Sequence, residues 1–191
     1  MKILVRLPNW LGDIVMSMAF MDSLKKVYPD CEIDIIIKKE LRDIVSYYNN
    51  KTRIYEYSKA EFPGLLGTYK FGQMISKRYK YELFFCLPNS FSSAWMGFFT
   101  RGKIRIGYKK EFRDFLLTHS YKEDADMHQV EKYVNLLNIF TGVQWASISI
   151  TLKKPLNRNN FLPKGKNLIL NINSEAPSRR IPIDLFNDGL N

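Results

Sequence analysis

Hydrophobic and polar positions along the chain change period in a regular way. Lys2 to Leu7 is an apolar, β-branched run of strand length, and Pro8-Asn9-Trp10-Leu11-Gly12 is a turn that ends it. Asp13 is expected to open an amphipathic helix with Ile14, Met18 and Met21 at helical spacing, ending near Tyr28-Pro29-Asp30. Glu32 to Lys38 (EIDIIIK) then reads as a second strand, and its isoleucine run suits a parallel sheet buried on both faces. Glu40 to Tyr48 reads as a short helix and Arg53 to Tyr57 as a strand of mixed polarity near an edge. Ala60 to Gly67, with Pro63, Gly64 and Gly67, is expected to be loop, followed by a helix from Tyr69 to Tyr79.

Tyr81 to Leu87 (YELFFCL) is the most apolar short run and the candidate central strand. It stops at Pro88-Asn89-Ser90, where Ser90 is placed to cap a helix from Phe91 to Phe99. A last amphipathic helix is predicted from Met127 to Phe140, with Gly142 as its stop. Alternating strands and helices of this kind imply an α/β fold around a parallel sheet. The loops at Pro8–Gly12 and Pro88–Ser90 both follow strands, so both are expected at the carboxyl edge of the sheet, facing one crevice. Asp13 lies where a catalytic carboxylate could stand, and also where an Asp commonly caps a helix.

Composition narrows the partner. The 191 residues, 46% hydrophobic and 14% aromatic, suffice for a substantial core. A formal charge of +10 favours an anionic partner: a phosphorylated substrate, an acidic membrane surface or nucleic acid. Nucleic acid ranks last, because no recognisable reading motif accompanies the charge. Arg101 to Arg113 holds six cations against one acid, Glu111; charge content alone favours a solvated strand and turn, with an anion-binding rim as the alternative. Cys31 and Cys86, without CxxC spacing or a His pair nearby, read as buried reduced thiols, and no metal site is expected. His119 and His128 match no catalytic or metal motif and read as surface or capping residues. Arg6, Asn9 and Asp13 interrupt the N-terminal apolar run, so no signal peptide is expected and the protein is placed in the cytoplasm.

The late part of the chain changes character. Lys153 to Lys166 has five cations, two prolines and no acid, the composition of a linker. Domains are therefore expected at residues 1–152 and 167–191, joined by a linker at 153–166. Asn167 to Asn171 is predicted to start a second unit as a strand, followed by a polar loop at Asn173–Arg180 and a helical start at Pro182–Phe186.

Four blocks, KILVRLPNWLGDIVMSMAF, CLPNSFSSAWMGFF, IRIGYKKEFRDFLL and LNINSEAPSRRIP, resemble ADP-heptose:lipopolysaccharide heptosyltransferases of the heptosyltransferase II type. The resemblance implies a GT-B architecture of two Rossmann-like domains. The N-terminal domain, a mostly parallel sheet with flanking helices, would hold the lipopolysaccharide inner-core acceptor; the second, of which only a truncated start is expected here, would bind ADP-heptose. No further cofactor is implied. By the family pattern Asp13 would be the general base of an inverting transfer. Asn9, Trp10, Gly12, Pro88, Asn89, Ser90, Lys109 and Arg113 would serve the acceptor side, and Arg179 and Arg180 the donor diphosphate. Cations near Asp13 would keep it ionised. The chain alone is expected to be inactive, with a separate donor-domain chain as a candidate partner and peripheral contact with the inner membrane. The alternative is a non-catalytic acceptor-binding module or the remnant of a split gene.

Overall fold

The structure, a computed structural model, describes residues 1–47 and 53–144. The expected linker, the strand at 167–171 and the loop carrying Arg179 and Arg180 lie outside the described residues. Six strands form one sheet: β1 (Lys2–Arg6), β2 (Glu32–Lys38), β3 (Ile54–Tyr57), β4 (Leu83–Cys86), β5 (Ile104–Tyr108) and β6 (His119–Tyr121). Their order is β3-β2-β1-β4-β5-β6, and every pairing is parallel. The α-helices are α1 (Leu11–Val27), α2 (Gly64–Arg78), α3 (Phe91–Phe99) and α4 (Gln129–Thr141).

Period-two alternation in the strands sorts the core into two layers. Ile3, Val5 and Leu7 face the same side as Ile35, Ile37 and Phe85, where α1 and α4 pack together. Leu4, Ile36, Phe84 and Cys86 face the other side, under α2 and α3. Because both faces are covered, β1, β2 and β4 carry apolar residues in both phases, which is why their sequences are continuous rather than alternating. The mixed strand β3 is at an edge and the apolar strand β4 is central, as their compositions lead one to expect.

Three boundaries differ from the sequence reading. Helix α1 begins at Leu11, with Trp10 at the N-cap position and no side-chain cap, so Asp13 stands inside the first turn rather than capping it. The connection Lys39–Tyr47 is a 3-10 helix, whose tighter spacing lets Leu41 and Ile44 reach the same core layer. Helix α2 starts at Gly64, within the expected loop. Gly67 is needed there by close approach, since a Cβ on it would lie 2.1 Å from the Phe62 carbonyl carbon. Ser90 caps α3 by accepting from the Ser93 N–H at 3.3 Å. His128 caps α4 in a capping box with Glu131, and Gly142 ends that helix at φ +71°. Strand β6 is polar and three residues long, and nothing in its sequence marks it as a strand.

Candidate active site

The strand order reverses direction between β1 and β4, and at such a switch point the two following loops diverge and leave a crevice at the carboxyl edge. One loop, Leu7–Trp10, leads into α1; the other, Leu87–Ser90, leads into α3. Asp13 is the third residue of α1 and half-buried. Burial raises its carboxyl above the ordinary value, while its position in the first turn favours the ionised form. The expected cation beside it is absent among the described residues; its charged-state environment includes instead the phenol of Tyr133 on α4, whose own pKa is raised by burial and by the Asp13 charge. A carboxylate held up in this way is a better proton acceptor than one clamped by an Arg or Lys.

The second loop is fixed from behind. Arg113 is fully buried. Its Nε and Nη2 donate to the Tyr108 carbonyl at 2.9 and 2.7 Å. Its Nη1 donates to the carbonyls of Pro88 and Ser90, and Nη2 to Asn89 Oδ1 at 3.2 Å. The Asn89 amide nitrogen donates to Glu123 Oε2 at 3.0 Å. Glu111, in the left-handed region at φ +52°, accepts from the Phe91 N–H at the start of α3 at 2.9 Å. The chain after β5 therefore clamps the chain after β4.

On the α2/α3 side of the crevice lies an open cavity of about 290 Å³, lined by Arg6, Asn9, Trp10, Lys38, Lys59 and Ser90 among others. Arg6 is 2% exposed, and burial lowers its pKa to about 10. Its Nη1 donates to the Leu7 and Ile36 carbonyls at 2.8 and 3.3 Å, and Nη2 donates to Asn9 Oδ1. Trp10, by contrast, is 56% exposed at the mouth.

The sequence profile of glycosyltransferase family 9 (heptosyltransferase) matches residues 68–188, more than half of the chain. The chain belongs to glycosyltransferase family 9. Lipooligosaccharide heptosyltransferase 2 of Haemophilus ducreyi is 37% identical over 145 residues, which cover 71% of this chain and 39% of that protein. Among solved structures, Escherichia coli ADP-heptose lipopolysaccharide heptosyltransferase II superposes with a TM-score of 0.61 at 31% identity, over 71% of this chain and 40% of that one. A glycosyltransferase family 9 protein of Veillonella parvula shares the fold with a TM-score of 0.69 at 21% identity, over 79% of this chain and 44% of that one. The chain thus spans about two-fifths of the length of the curated relatives it matches. The described sheet and its helices have the Rossmann-like form of these GT-B enzymes.

Within this family 9 domain the residues singled out from sequence separate into two groups. Asn9, Trp10 and Ser90 line the cavity, whereas Gly12 and Asp13 lie in the first turn of α1 outside its lining, and Gly12 is exposed with no atom within 4 Å of where a Cβ would sit. Lys109 is exposed just past β5, at the same carboxyl edge. Arg113 is a correction: the acceptor-facing role expected of it does not fit its place, because it is internal, with its guanidinium bonded to main-chain carbonyls. Pro88 is likewise buried, and the Asn89 amide is engaged at both ends by Arg113 and Glu123. Arg105 of the same cationic run donates to the Leu116 and Gly102 carbonyls at 2.8 and 2.9 Å, so neither the solvated reading nor the rim reading describes it.

Arg6 is the residue that sequence reasoning passed over. The signal was available: it occupies the same phase as Leu4 in a strand read as buried on both faces, and a charge there must find partners inside. Among the described residues, no helix is long and apolar enough to cross a membrane.

Proposed function

We propose that this domain is the acceptor-binding half of an enzyme that transfers heptose from ADP-heptose to the inner core of lipopolysaccharide, with Asp13 as general base. The observation that carries the reading is Asp13 itself: a half-buried carboxylate with a raised pKa, in the first helical turn beyond β1, at the switch point of the sheet. In this reaction the carboxylate takes the proton of an acceptor hydroxyl as that oxygen attacks the anomeric carbon of the donor. The bond to ADP breaks on the opposite face, so one displacement inverts the anomeric centre. Asn9, Trp10, Gly12 and Ser90 would contact the acceptor, while Arg113 and Asn89 would hold the second loop in place. Arg179 and Arg180 would meet the departing diphosphate. Exposed Lys109, with exposed Phe112 and Phe115 close by in sequence, supports peripheral contact with a lipid-anchored anionic acceptor at the cytoplasmic face of the inner membrane.

The test is a transfer assay with ADP-heptose and a truncated core acceptor, run with the purified chain alone and with an added donor domain from a complete relative. Positioning both substrates across a cleft contributes roughly 7–11 kcal/mol in favourable cases, so transfer is expected chiefly in the complemented reaction. Asp13→Asn should lower it by about 10²–10⁴-fold. Unchanged transfer by a folded Asp13→Asn protein would remove Asp13 from the mechanism. Binding of the acceptor with no transfer in either reaction would instead favour a non-catalytic acceptor-binding module.

A further inference from the structure

The cavity beside α3 is built around a cation that the protein does not neutralise. Arg6 has five N–H groups. Its observed bonds go to two carbonyls and the Asn9 side chain, and Nε, fully buried, has no partner. A buried guanidinium is ordinarily matched by a carboxylate, because an unpaired internal charge costs several kcal/mol. Here the groups that act on it are the Cys86 thiol and the Tyr57 ring, whose centroid is 5.8 Å from the guanidinium carbon. Burial keeps the Cys86 thiol protonated at neutral pH, whereas Arg6 with a pKa near 10 remains charged.

The rest of the lining reinforces the imbalance. Half-buried Lys38 and exposed Lys59 also border the cavity, and among the described residues neither has an acid within ion-pair distance. Ser90, Ser92 and Ser93, at the positive end of α3, also line the cavity. Among the described residues, no Asp or Glu contributes to the lining. The Asn9 side-chain oxygen accepts from the guanidinium, and the α3 serines and the two lysines border the same cavity.

We infer that this cavity is an oxyanion subsite, with Arg6 as its binding residue and Lys38, Lys59 and the Ser92–Ser93 hydroxyls as its walls, and that it takes a phosphate monoester or carboxylate carried by the sugar acceptor. The assignment to an acceptor rests on the transferase reading above; the anion chemistry of the cavity does not. Planar, forked recognition of a tetrahedral or carboxylate oxyanion is what a guanidinium offers over an ammonium, so Arg6 sets the geometry and the lysines add charge.

The experiment follows the Arg side-chain Nε–H signals of the ¹⁵N-labelled full chain by NMR during titration with inorganic phosphate or glucuronate, at constant ionic strength held with sodium chloride. The Arg6 signal, identified by its loss in Arg6→Gln, should move saturably with at least one probe. Because Arg6→Gln removes buried donors and is expected to weaken folding, a Lys38→Gln/Lys59→Gln variant provides the second arm: its outward-lying changes should weaken binding about fivefold or more. Saturation by phosphate alone assigns a phosphate ester, by glucuronate alone a carboxylate, and by both a subsite for either oxyanion. No saturable movement with either probe, or an unchanged Kd in the double-lysine variant, overturns the subsite. Asp13→Asn should bind the probe as the unaltered chain does, so loss of transfer with binding intact would bear on Asp13, and loss of binding with transfer intact on this inference alone.

Discussion

The guanidinium of Arg113 donates to the main-chain carbonyl of Pro88, 25 residues earlier in the chain, and so ties the segment after β5 to the loop after the central strand β4. Replacing it with Ala would leave the carbonyls of Tyr108 and Pro88 without this donor in a buried setting. Each such orphan costs about 1–3 kcal/mol, so Arg113→Ala is expected to lose about 3 kcal/mol or more in urea unfolding. Arg113→Lys should recover less than half of that, because one ammonium cannot reach the same fork of acceptors. A loss under about 1 kcal/mol would show that the loop is held by other means.

The pH dependence of transfer should report Asp13. A base must be deprotonated to act, so the rate in the complemented assay should fall as pH drops through its pKa. Burial places that inflection above the ordinary value of 3.8. Asp13→Asn should remove the inflection and cost about 10²–10⁴-fold in rate. An inflection at or below 3.8 in the unaltered protein would contradict the desolvated environment described for this carboxylate.

Two glycines should respond oppositely to alanine. A Cβ on Gly97 would lie 2.1 Å from the Phe84 ring, in the tightly packed α3–β4 contact, so Gly97→Ala should destabilise by about 1–3 kcal/mol. Gly12 sits in the first turn of α1 with open space around it, and Gly12→Ala should leave thermal stability unchanged or slightly raised. If Gly12 serves the acceptor, as proposed, the same change lowers transfer without lowering the melting temperature.

Alkylation should separate native from unfolded protein. Cys31 and Cys86 are both free and buried, and burial raises both thiols above the ordinary range. Cys86 also stands 3.5 Å from the Arg113 guanidinium, which does not reverse the effect of burial. Iodoacetamide at neutral pH is expected to leave Cys86 unmodified in the folded chain and to label both thiols in denaturant, with mass spectrometry as the readout.

Much of the sheet was legible from composition because both its faces are covered. The isoleucines of β2 and the LFFC of β4 could belong only to well-buried strands, and the polar admixture of β3 marked an edge. Ser90 and Asp13 were legible as residues at the starts of the helices that follow strands. The interior arginines were not, because what makes Arg113 structural is a set of carbonyls that comes together only when β4 and β5 are neighbours. Charge counting favoured solvent and the family resemblance the acceptor side; its bonding partners place it inside. The start of α2 was misjudged because a glycine read as loop-forming fills its first turns where the Phe62 backbone lies too close for a side chain; at α1 no such crowding exists, and the turn residues Leu11 and Gly12 simply continue into the helix.

The parallel pairing of Ile3 with Leu83 has a consequence for how the chain assembles during synthesis. Strand β1 can join β2 once about 30 residues have emerged, but its other flank has no neighbour until β4 follows, some 50 residues later. In that interval one row of unpaired main-chain groups and the apolar residues beside it are open to solvent or to another nascent chain. The same gap that, once closed, becomes the crevice floor therefore stays open long after the β1–β2 seam has formed, and slow translation through residues 39–82 would lengthen the period in which nascent copies can pair with one another instead.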